Sequence, residues 1–439
     1  MAKSERVDIL VVGAGVLGVT LSHWLSSLYD CRIGLADLAQ TAGAHTSSRN
    51  TGVIHRPFYL DPRKKRVFAR TSLLSHPLWE RLARDGGLPW RPVGTINVAV
   101  DESEVATLEK YKVWGVENGM GASEIELLDG NAVQSREPEV RCRAGFLSKT
   151  DVSVDFGAFT RYLWRSVTSR GVAFFGGCRV SSLRHWKDGV EAELRSADGR
   201  ETVSCRLLIN AAGGGALDIA HALGLAREYA ALNFRGEYWV VDEPFALRVS
   251  SNIYRPPRFP QYPFLDPHFV VRADGSRQIG PNAVAVPGPY VYSGVGLVEL
   301  GAFLGRPVVP KARLLANRNF LSLLVGEWRS SLSKSAMCDR VKMFVPGLST
   351  AMLRRRAVFG VRSSVVDSSG FVPEALLLKG ESSAHIINFN SPGATGAPSY
   401  SAMVVHELRS DGLLDGFGLR STPYRIPGWE FDSATGDAR

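Results

Sequence analysis

A glycine-rich segment near the amino terminus constrains the fold of this chain more than any other feature. Residues 7–37 read VDILVVGAGVLGVTLSHWLSSLYDCRIGLAD. The apolar run Ile9–Val12 is too short for a helix and suits a strand that is buried on both faces. Gly13, Gly15 and Gly18 follow at once. This order predicts a strand, a tight turn and a helix that together hold a dinucleotide.

Each residue of this turn has its own predicted role. Gly13 permits the turn, Gly15 lets backbone amides approach a pyrophosphate, and Gly18 lets the helix pack closely on the strand. The helix begins near Val16 and Leu17, and its N-terminus attracts the anion. The turn is therefore predicted to bind the cofactor.

Two further features indicate which dinucleotide is held. Asp37 ends the predicted second strand, where its carboxylate can accept hydrogen bonds from both ribose hydroxyls and disfavours a 2′-phosphate. A second apolar strand, Leu207–Ile209, runs into the small residues Ala211, Ala212 and Gly213. Because no second complete fingerprint occurs, a single tightly held cofactor is expected, which favours FAD over NAD. The alternative for the second segment is a flexible turn after a core strand.

Nine sequence blocks follow the order of a known family. They are VDILVVGAGVLG at 7–18, HTSSRNTGVIH at 45–55, VGTINVAV at 93–100, SREPEV at 135–140, LINAAGG at 208–214, FRGEYWVV at 234–241, GPNAV at 280–284, FGVRSS at 359–364 and NSPGATGAPSYSA at 390–402. On these blocks the chain resembles the FAD-dependent oxidoreductases built like D-amino-acid oxidase, and within them the L-2-hydroxyglutarate dehydrogenases. It departs from the family pattern at Arg56–Leu60, Asp266–Pro267 and Ser363–Ser364, which bears on the substrate more than on the fold.

The resemblance implies an α/β fold of two domains, in which a Rossmann-like FAD-binding domain is interleaved with an antiparallel-sheet substrate domain. The predicted segments are 1–80, 145–225 and 345–410 for the FAD-binding domain, and 81–144 and 226–344 for the substrate-binding domain. Alternating or β-rich runs predict strands at Thr95–Val100 and Glu237–Val241, and a helix is predicted at Val105–Asn118. The tail 411–439, rich in Gly, Asp and Ser, is predicted to be irregular and partly disordered.

The composition of the chain limits the kinds of molecule that it is expected to bind. The 439 residues are 45% hydrophobic, which suffices for a sizeable core, and carry a net charge of +9. The basic residues are dispersed and no metal-ligand or RNA-binding spacing accompanies them, so we expect a small anionic substrate, no nucleic acid and no metal. The runs Arg354–Arg356 and Asp61–Arg66 are interpreted as solvated faces.

The cellular location of the protein is predicted from its cysteines and its hydropathy. Five widely spaced cysteines without a CxxC motif suggest a reducing cytoplasm, and no signal peptide or 18-residue apolar run is expected. Segment 314–342 has the pattern of an amphipathic helix, which either packs on the core or contacts a membrane peripherally.

Oxidation of a secondary alcohol beside a carboxylate needs a base, a hydride acceptor and a cation. His55 and His268 are both candidate bases, and the residues do not rank them. Arg362 is the candidate partner of the substrate carboxylate, because a guanidinium pairs with a carboxylate through two bonds. Arg235 is a second candidate cation, with a buried ion pair to Glu237 as the alternative. Tyr238 is expected to lend a hydroxyl or to pack.

The resemblance also implies further cofactor-binding residues. These are Thr46, Ser47, Arg49, Asn50 and Thr51 along the pyrophosphate and ring, Val180 at the adenine, and Gly393, Ala394, Thr395 and Gly396 at the flavin pyrimidine. The blocks contain no cysteine, so no thioether link to the flavin is expected; a link through His45 is a remote alternative.

The sequence thus predicts oxidation of an L-2-hydroxy acid, with L-2-hydroxyglutarate as the substrate that the resemblance implies. The electron acceptor is a quinone, oxygen or another carrier. Two alternatives stay open: an amino-acid or amine oxidase of the same fold, and a non-catalytic flavin subunit of a larger complex.

Overall fold

A six-stranded sheet lies at the centre of the part of the chain that carries the glycine turn. The computed structural model describes residues 3–187, 189–264, 266–296 and 316–436. In spatial order the strands of this sheet are Ala173–Phe175, Ile33–Ala36, Ile9–Val12, Leu207–Asn210, Ser383–Ile387 and Leu376–Gly380. All neighbours are parallel except the last pair. The apolar runs 9–12 and 207–210 are wholly buried, as expected of strands covered on both faces.

An eight-stranded sheet forms the second layer. Its strands in spatial order are Leu353–Arg356, Trp239–Val241, Arg277–Gly280, His268–Val271, Asn252–Tyr254, Thr95–Ala99, Ala144–Ser148 and Ile125–Asp129. All its neighbours are antiparallel except the pair Asn252–Tyr254 and Thr95–Ala99. The α/β fold, with one mostly parallel and one mostly antiparallel sheet, is therefore as predicted.

Three smaller sheets complete the β-structure. The first contains Lys3–Arg6, Gly199–Cys205, Gly189–Ser196 and Arg179–Trp186; the second Val284–Val286, Ala230–Gly236 and Gly360–Val366; the third Val53–Ile54, Val152–Val154 and Trp90–Arg91. The second sheet carries Arg362, and the third leads into His55.

The described α-helices are Val16–Leu28, Arg66–Gly86, Glu102–Glu117, Gly130–Arg136, Phe156–Ser169, Ala216–Ala222, Glu243–Ala246, Arg318–Leu332, Lys334–Lys342, Gly393–Ser410 and Phe431–Thr435. Short 3-10 turns occur at Thr46–Ser48, Pro57–Tyr59, Ala122–Glu124, Gly213–Gly215 and Thr350–Met352. None of the helices in these described ranges has the length and apolar composition needed to cross a bilayer.

The sequence predicted the interior of elements better than their ends. The predicted strand Thr95–Val100 stops at Ala99, and the strand predicted from Glu237 begins at Trp239. The helix predicted from Val105 begins at Glu102, because the Asp101 side chain caps it by accepting a hydrogen bond from the Glu104 amide at 3.1 Å.

The predicted domain boundaries stay a proposal. The six-stranded sheet draws on the three segments assigned to the FAD-binding domain. Two strands join the eight-stranded sheet although most or all of their residues lie in segments assigned to that domain: Ala144–Ser148 and Leu353–Arg356. Sheet membership therefore suggests boundaries near residues 149 and 357.

Segment 314–342 forms two helices where one was expected; residues 314 and 315 lie outside the described residues. The break falls at Ser333, whose hydroxyl caps the second helix by accepting from the Ala336 amide. Phe320 and Leu323 of the first helix are buried in the core, so this face packs as expected.

The prediction of a partly disordered tail is wrong for residues 411–436. Trp429 is only 1% exposed, stacks on Trp24 with 5.7 Å between ring centroids, and donates its indole N–H to the carbonyl of Leu78. The helix Phe431–Thr435 follows it. The Gly, Asp and Ser content of the tail concealed these few apolar anchors.

We expect Trp429→Ala to lower the free energy of unfolding by about 3–5 kcal/mol, because it removes a fully buried indole and its hydrogen bond. Urea titration followed by circular dichroism measures the change. Leu419→Ala is the matched control, because this tail side chain is 56% exposed. Equal stability of the two variants would show that the tail is not part of the core.

Candidate active site

The glycine turn lies where two parallel strands end side by side. Gly13 has φ +106°, and a Cβ there would overlap the carbonyl oxygen of Ala211 and lie 2.8 Å from the Cα of Ala212. A Cβ on Gly18 would overlap the carbonyl of Gly13. A Cβ on Gly15 would meet only the Ser47 hydroxyl, at 3.1 Å. The first and third glycines are thus required by packing, and the second keeps the surface of the turn open.

Asp37 closes the turn from the neighbouring strand. Its carboxylate accepts hydrogen bonds from the amides of Ala14 at 2.6 Å and Ala39 at 2.7 Å, one to each oxygen. A carboxylate oxygen can accept two hydrogen bonds, so each oxygen retains a position for a ribose hydroxyl. The Ser47 hydroxyl accepts from the amide of Val16 at 2.9 Å and ties the following loop to the helix start.

One cavity of about 420 Å³ runs from this turn to the three-stranded sheet that carries Arg362. Most of the predicted cofactor-binding residues line it: Gly13, Gly15, Val16, Leu17, Asp37, Thr46, Ser47, Arg49, Asn50, Thr51, Val180, Ala211, Ala212, Gly213, Gly393, Ala394 and Thr395. Gly18 and Gly396 do not line it. Gly396 permits close helix packing instead, because a Cβ there would lie 3.1 Å from the Cβ of Thr71.

The same cavity brings together four of the five predicted catalytic residues: His55, His268, Tyr238 and Arg362. The fifth, Arg235, is not among its lining residues. Its guanidinium forms an ion pair with the Glu237 carboxylate at 2.9 Å and donates to the carbonyl of Gly294 at 2.7 Å. Arg235 therefore adopts the ion pair that was its alternative interpretation.

His55 follows the short strand Val53–Ile54 and is nearly buried. Its Nδ1 lies 3.2 Å from Oδ2 of Asp151, and its backbone amide donates to the Thr395 hydroxyl. The rings of Tyr59 and Tyr254 contact the imidazole edge-to-face. Asp151 lies 96 residues further along the chain, and no motif in the sequence pointed to it.

His268 begins the strand His268–Val271 and stacks on Tyr254 with 3.9 Å between ring centroids. Its Nδ1 lies 3.2 Å from the backbone carbonyl of Asp266, so Nδ1 carries the proton in that hydrogen bond. Complete burial lowers the pKa of His268 to about 3. The imidazole is therefore neutral near pH 7.

Arg362 lies on the strand Gly360–Val366, with its guanidinium enclosed by protein at the wall of the cavity. Burial lowers the pKa of this guanidinium, and the hydroxyls of Tyr238 and Tyr59 oppose the shift. It donates to the carbonyl of Pro263. Throughout the described ranges, no carboxylate forms an ion pair with Arg362. An enclosed cation without a counterion at a cavity wall is suited to an anionic ligand.

Tyr238 also faces the cavity. Its hydroxyl lies 2.7 Å from Oγ1 of Thr51, and burial raises the pKa of the phenol, which keeps it protonated. Arg272, which the sequence did not single out, donates to the carbonyl of Asn50 at 2.9 Å. Asn50 and Thr51, in the loop that follows His45, are thereby held by Arg272 and Tyr238.

No cluster of His, Cys, Asp and Glu able to hold a metal occurs in the parts of the chain that the structure describes.

Comparison with known proteins agrees with this geometry. The profile of the FAD dependent oxidoreductase family matches residues 8–407. The L-2-hydroxyglutarate dehydrogenase of Escherichia coli K12 is 27% identical, with 92% of this chain and 93% of the relative covered. The mitochondrial L-2-hydroxyglutarate dehydrogenase of Homo sapiens is 24% identical, with 93% and 90% covered.

Solved structures share the fold. An FAD-bound L-alpha-glycerophosphate oxidase from Mycoplasma pneumoniae aligns with a TM-score of 0.72 at 21% identity, over 96% of this chain and 99% of the other. Glycine oxidase from Geobacillus kaustophilus aligns with a TM-score of 0.67 at 16% identity, over 92% and 95%.

Asp37→Ala is expected to weaken FAD binding by roughly 10- to 100-fold, because hydrogen bonds to a charged acceptor contribute about 1.5–3 kcal/mol. Titration of apoprotein with FAD, followed by quenching of flavin fluorescence, gives the dissociation constant. Asp339→Ala is the control, since this exposed carboxylate lies on the helix Lys334–Lys342 and does not line the cavity. Unchanged FAD affinity in Asp37→Ala would remove Asp37 from the cofactor site.

Proposed function

Because the chain belongs to the family of FAD-dependent oxidoreductases, we propose that it oxidises an L-2-hydroxy acid to the 2-oxo acid, with L-2-hydroxyglutarate as the preferred substrate. The observation that carries the proposal is the enclosed guanidinium of Arg362 in the same cavity as His55. A cation without a counterion favours an acid as substrate, and a neighbouring imidazole favours one with a hydroxyl to deprotonate.

The residues at the glycine turn fit the dinucleotide. Two packed glycines, the open position at Gly15 and the accepting oxygens of Asp37 form a cradle for pyrophosphate and ribose. The turn Asn390–Gly396 reaches the cavity near His55, where its small residues suit the flavin ring. Bound FAD supplies the acceptor for the hydride that leaves the substrate carbon.

Arg362 binds the substrate carboxylate. Its planar guanidinium can donate two parallel hydrogen bonds to the two carboxylate oxygens, which fixes the orientation of the neighbouring alcohol carbon. The protonated hydroxyl of Tyr238 lies close enough to Arg362 to affect its pKa, and it donates to the same anion.

His55 is the base, and His268 shapes the cavity wall beside it. A base is most effective when its pKa lies near the working pH. Burial lowers the pKa of His268 to about 3, so this imidazole is a poor proton acceptor at pH 7. His55 has a carboxylate partner and His268 has only a backbone carbonyl.

The identity of the electron acceptor, whether a quinone, oxygen or another carrier, stays a prediction. So does peripheral contact with a membrane. The feature that supports a membrane contact is the helix Arg318–Leu332, which exposes Leu321, Val325 and Leu332 and carries Arg329 on its surface.

The direct test is anaerobic reduction of the bound flavin by a panel of 2-hydroxy acids and amino acids, read as bleaching of its absorbance. We expect L-2-hydroxyglutarate to reduce it faster than monocarboxylic hydroxy acids. Reduction by amino acids alone would instead support amine oxidation, and no reduction by either class would support a non-catalytic flavin subunit.

Arg362→Ala is expected to lower kcat/KM by roughly 30- to 1000-fold while FAD stays bound, because a charge-assisted pair contributes about 2–4 kcal/mol in the transition state. Arg362→Lys restores little, since a point charge cannot form the two parallel bonds. Arg355→Ala is the control, because Arg355 is exposed on an outer strand of the eight-stranded sheet. Wild-type kcat/KM in Arg362→Ala would contradict an acidic substrate at this site.

Exchange of each histidine for Asn separates their roles. His55→Asn should slow flavin reduction by about 10²- to 10⁴-fold and abolish its decline at acidic pH, because no titratable acceptor remains. His268→Asn should slow it less than about 10-fold and keep the pH profile, since His268 is already neutral. Stopped-flow absorbance between pH 5 and 9 measures both. The reverse ranking would make His268 the base.

A further inference from the structure

His55 and Asp151 form a buried pair at the wall of the cavity. Oδ2 of Asp151 lies 3.2 Å from Nδ1 of His55, and the carboxylate side chain is wholly inaccessible. His55 contributes to two cavities, the large one and a small one of about 20 Å³ that Tyr59 and Asn97 also line. The imidazole therefore has one nitrogen fixed to a carboxylate while the ring faces open space.

Three other donors hold the same carboxylate. The Thr95 hydroxyl donates to Oδ2 at 2.9 Å, the Ser148 hydroxyl donates to Oδ1 at 2.5 Å, and the Arg56 amide donates to Oδ1 at 3.2 Å. Thr95 lies on a strand of the eight-stranded sheet, Ser148 ends the neighbouring strand, and Arg56 lies in the loop after His55. A carboxylate with four donors on its two oxygens is held firmly in position.

We infer that Asp151 is the positioning residue of the base: it holds His55 in the tautomer whose Nε2 is free to accept the substrate hydroxyl proton, and it stabilises the imidazolium that results. The inference rests on the proposed function. Because the carboxylate accepts at Nδ1, that nitrogen carries the hydrogen and Nε2 presents its lone pair. The proton leaves the substrate oxygen and joins Nε2; Asp151 stays ionised and takes no proton.

The other groups that face His55 cannot replace this carboxylate. Tyr59 and Tyr254 contact the ring as neutral phenols, since burial raises the pKa of both. His268 is neutral. The Arg56 guanidinium next in sequence is directed to the Glu124 carboxylate at 2.8 Å. Asp151 is thus the charge, among the described residues facing His55, that can stabilise the imidazolium.

The test is Asp151→Asn in the FAD-loaded enzyme. An amide nitrogen in place of Oδ2 donates to Nδ1, which moves the ring hydrogen to Nε2 and removes the acceptor. We expect flavin reduction by L-2-hydroxyglutarate to slow by about 10²- to 10⁴-fold, with the upper end equal to the loss of about 10⁴-fold that the equivalent exchange causes in a serine protease triad. The residual rate should fall off at lower pH than in the wild type, because the imidazolium has lost its counterion.

Two controls separate positioning from a merely structural role. Asp339→Asn makes the same exchange at an exposed carboxylate that lines neither cavity, so the rate and the pH profile should equal those of the wild type. In the His55→Asn background, Asp151→Asn should add little, since residues that act as one unit have strongly non-additive effects. Additive losses, or a rate loss without a shift of the acid limb, would overturn the inference.

A spectroscopic measurement covers the case in which Asp151→Asn does not accumulate as holoenzyme. An imidazole N–H that donates to a buried carboxylate gives a strongly downfield proton resonance, which should be present in wild type and absent in His55→Asn. Its absence from the wild type would contradict the pair. This resonance does not depend on turnover, so failure of the proposed function, seen as no reduction by hydroxy acids, is distinguishable from failure of the pair.

Discussion

The close contact between the glycine turn and the end of the adjacent strand is the constraint on which the rest of the structure depends. Backbone atoms of Ala211 and Ala212 occupy the space where a side chain on Gly13 would lie. This contact brings the carboxyl ends of two parallel strands together, and open α/β sheets bind ligands at that edge. The loop that begins near His45 crosses the same edge and continues to His55. Cofactor cradle and candidate base therefore occupy one cavity because two strands meet without intervening side chains.

Charge pairing distinguishes Arg362 from three guanidinium groups that are largely buried. Arg235 pairs with Glu237, Arg56 pairs with Glu124, and Arg340 pairs with Glu327 and Asp266. In each case a carboxylate offsets the loss of hydration. Among the described residues, Arg362 pairs with no carboxylate; it donates to a carbonyl and has two tyrosine hydroxyls and the Lys65 ammonium nearby. Under the proposed function, the substrate carboxylate would offset this loss of hydration.

The sequence predicted the features that neighbouring residues decide, and it missed a contact between residues far apart in the chain. The glycine turn, its strand and its helix start were predicted to the residue, because backbone geometry within about 30 residues decides them. Likewise Glu237 was a foreseeable partner of Arg235, since residues two apart on a strand lie on the same face. Asp151 was missed because nothing in its own segment marks it. Its importance arises from a contact across 96 residues that only the folded chain creates.

Resemblance supplied the remaining site residues, and it did not rank the two histidines. Their environments separate them. His268 is stacked on Tyr254 and lies beside a backbone carbonyl, and burial disfavours its charged form more than that hydrogen bond favours it. His55 is nearly as buried, but its Nδ1 lies 3.2 Å from a carboxylate oxygen of Asp151. Two imidazoles that face one cavity thus differ in what they can do, and the difference comes from their neighbours.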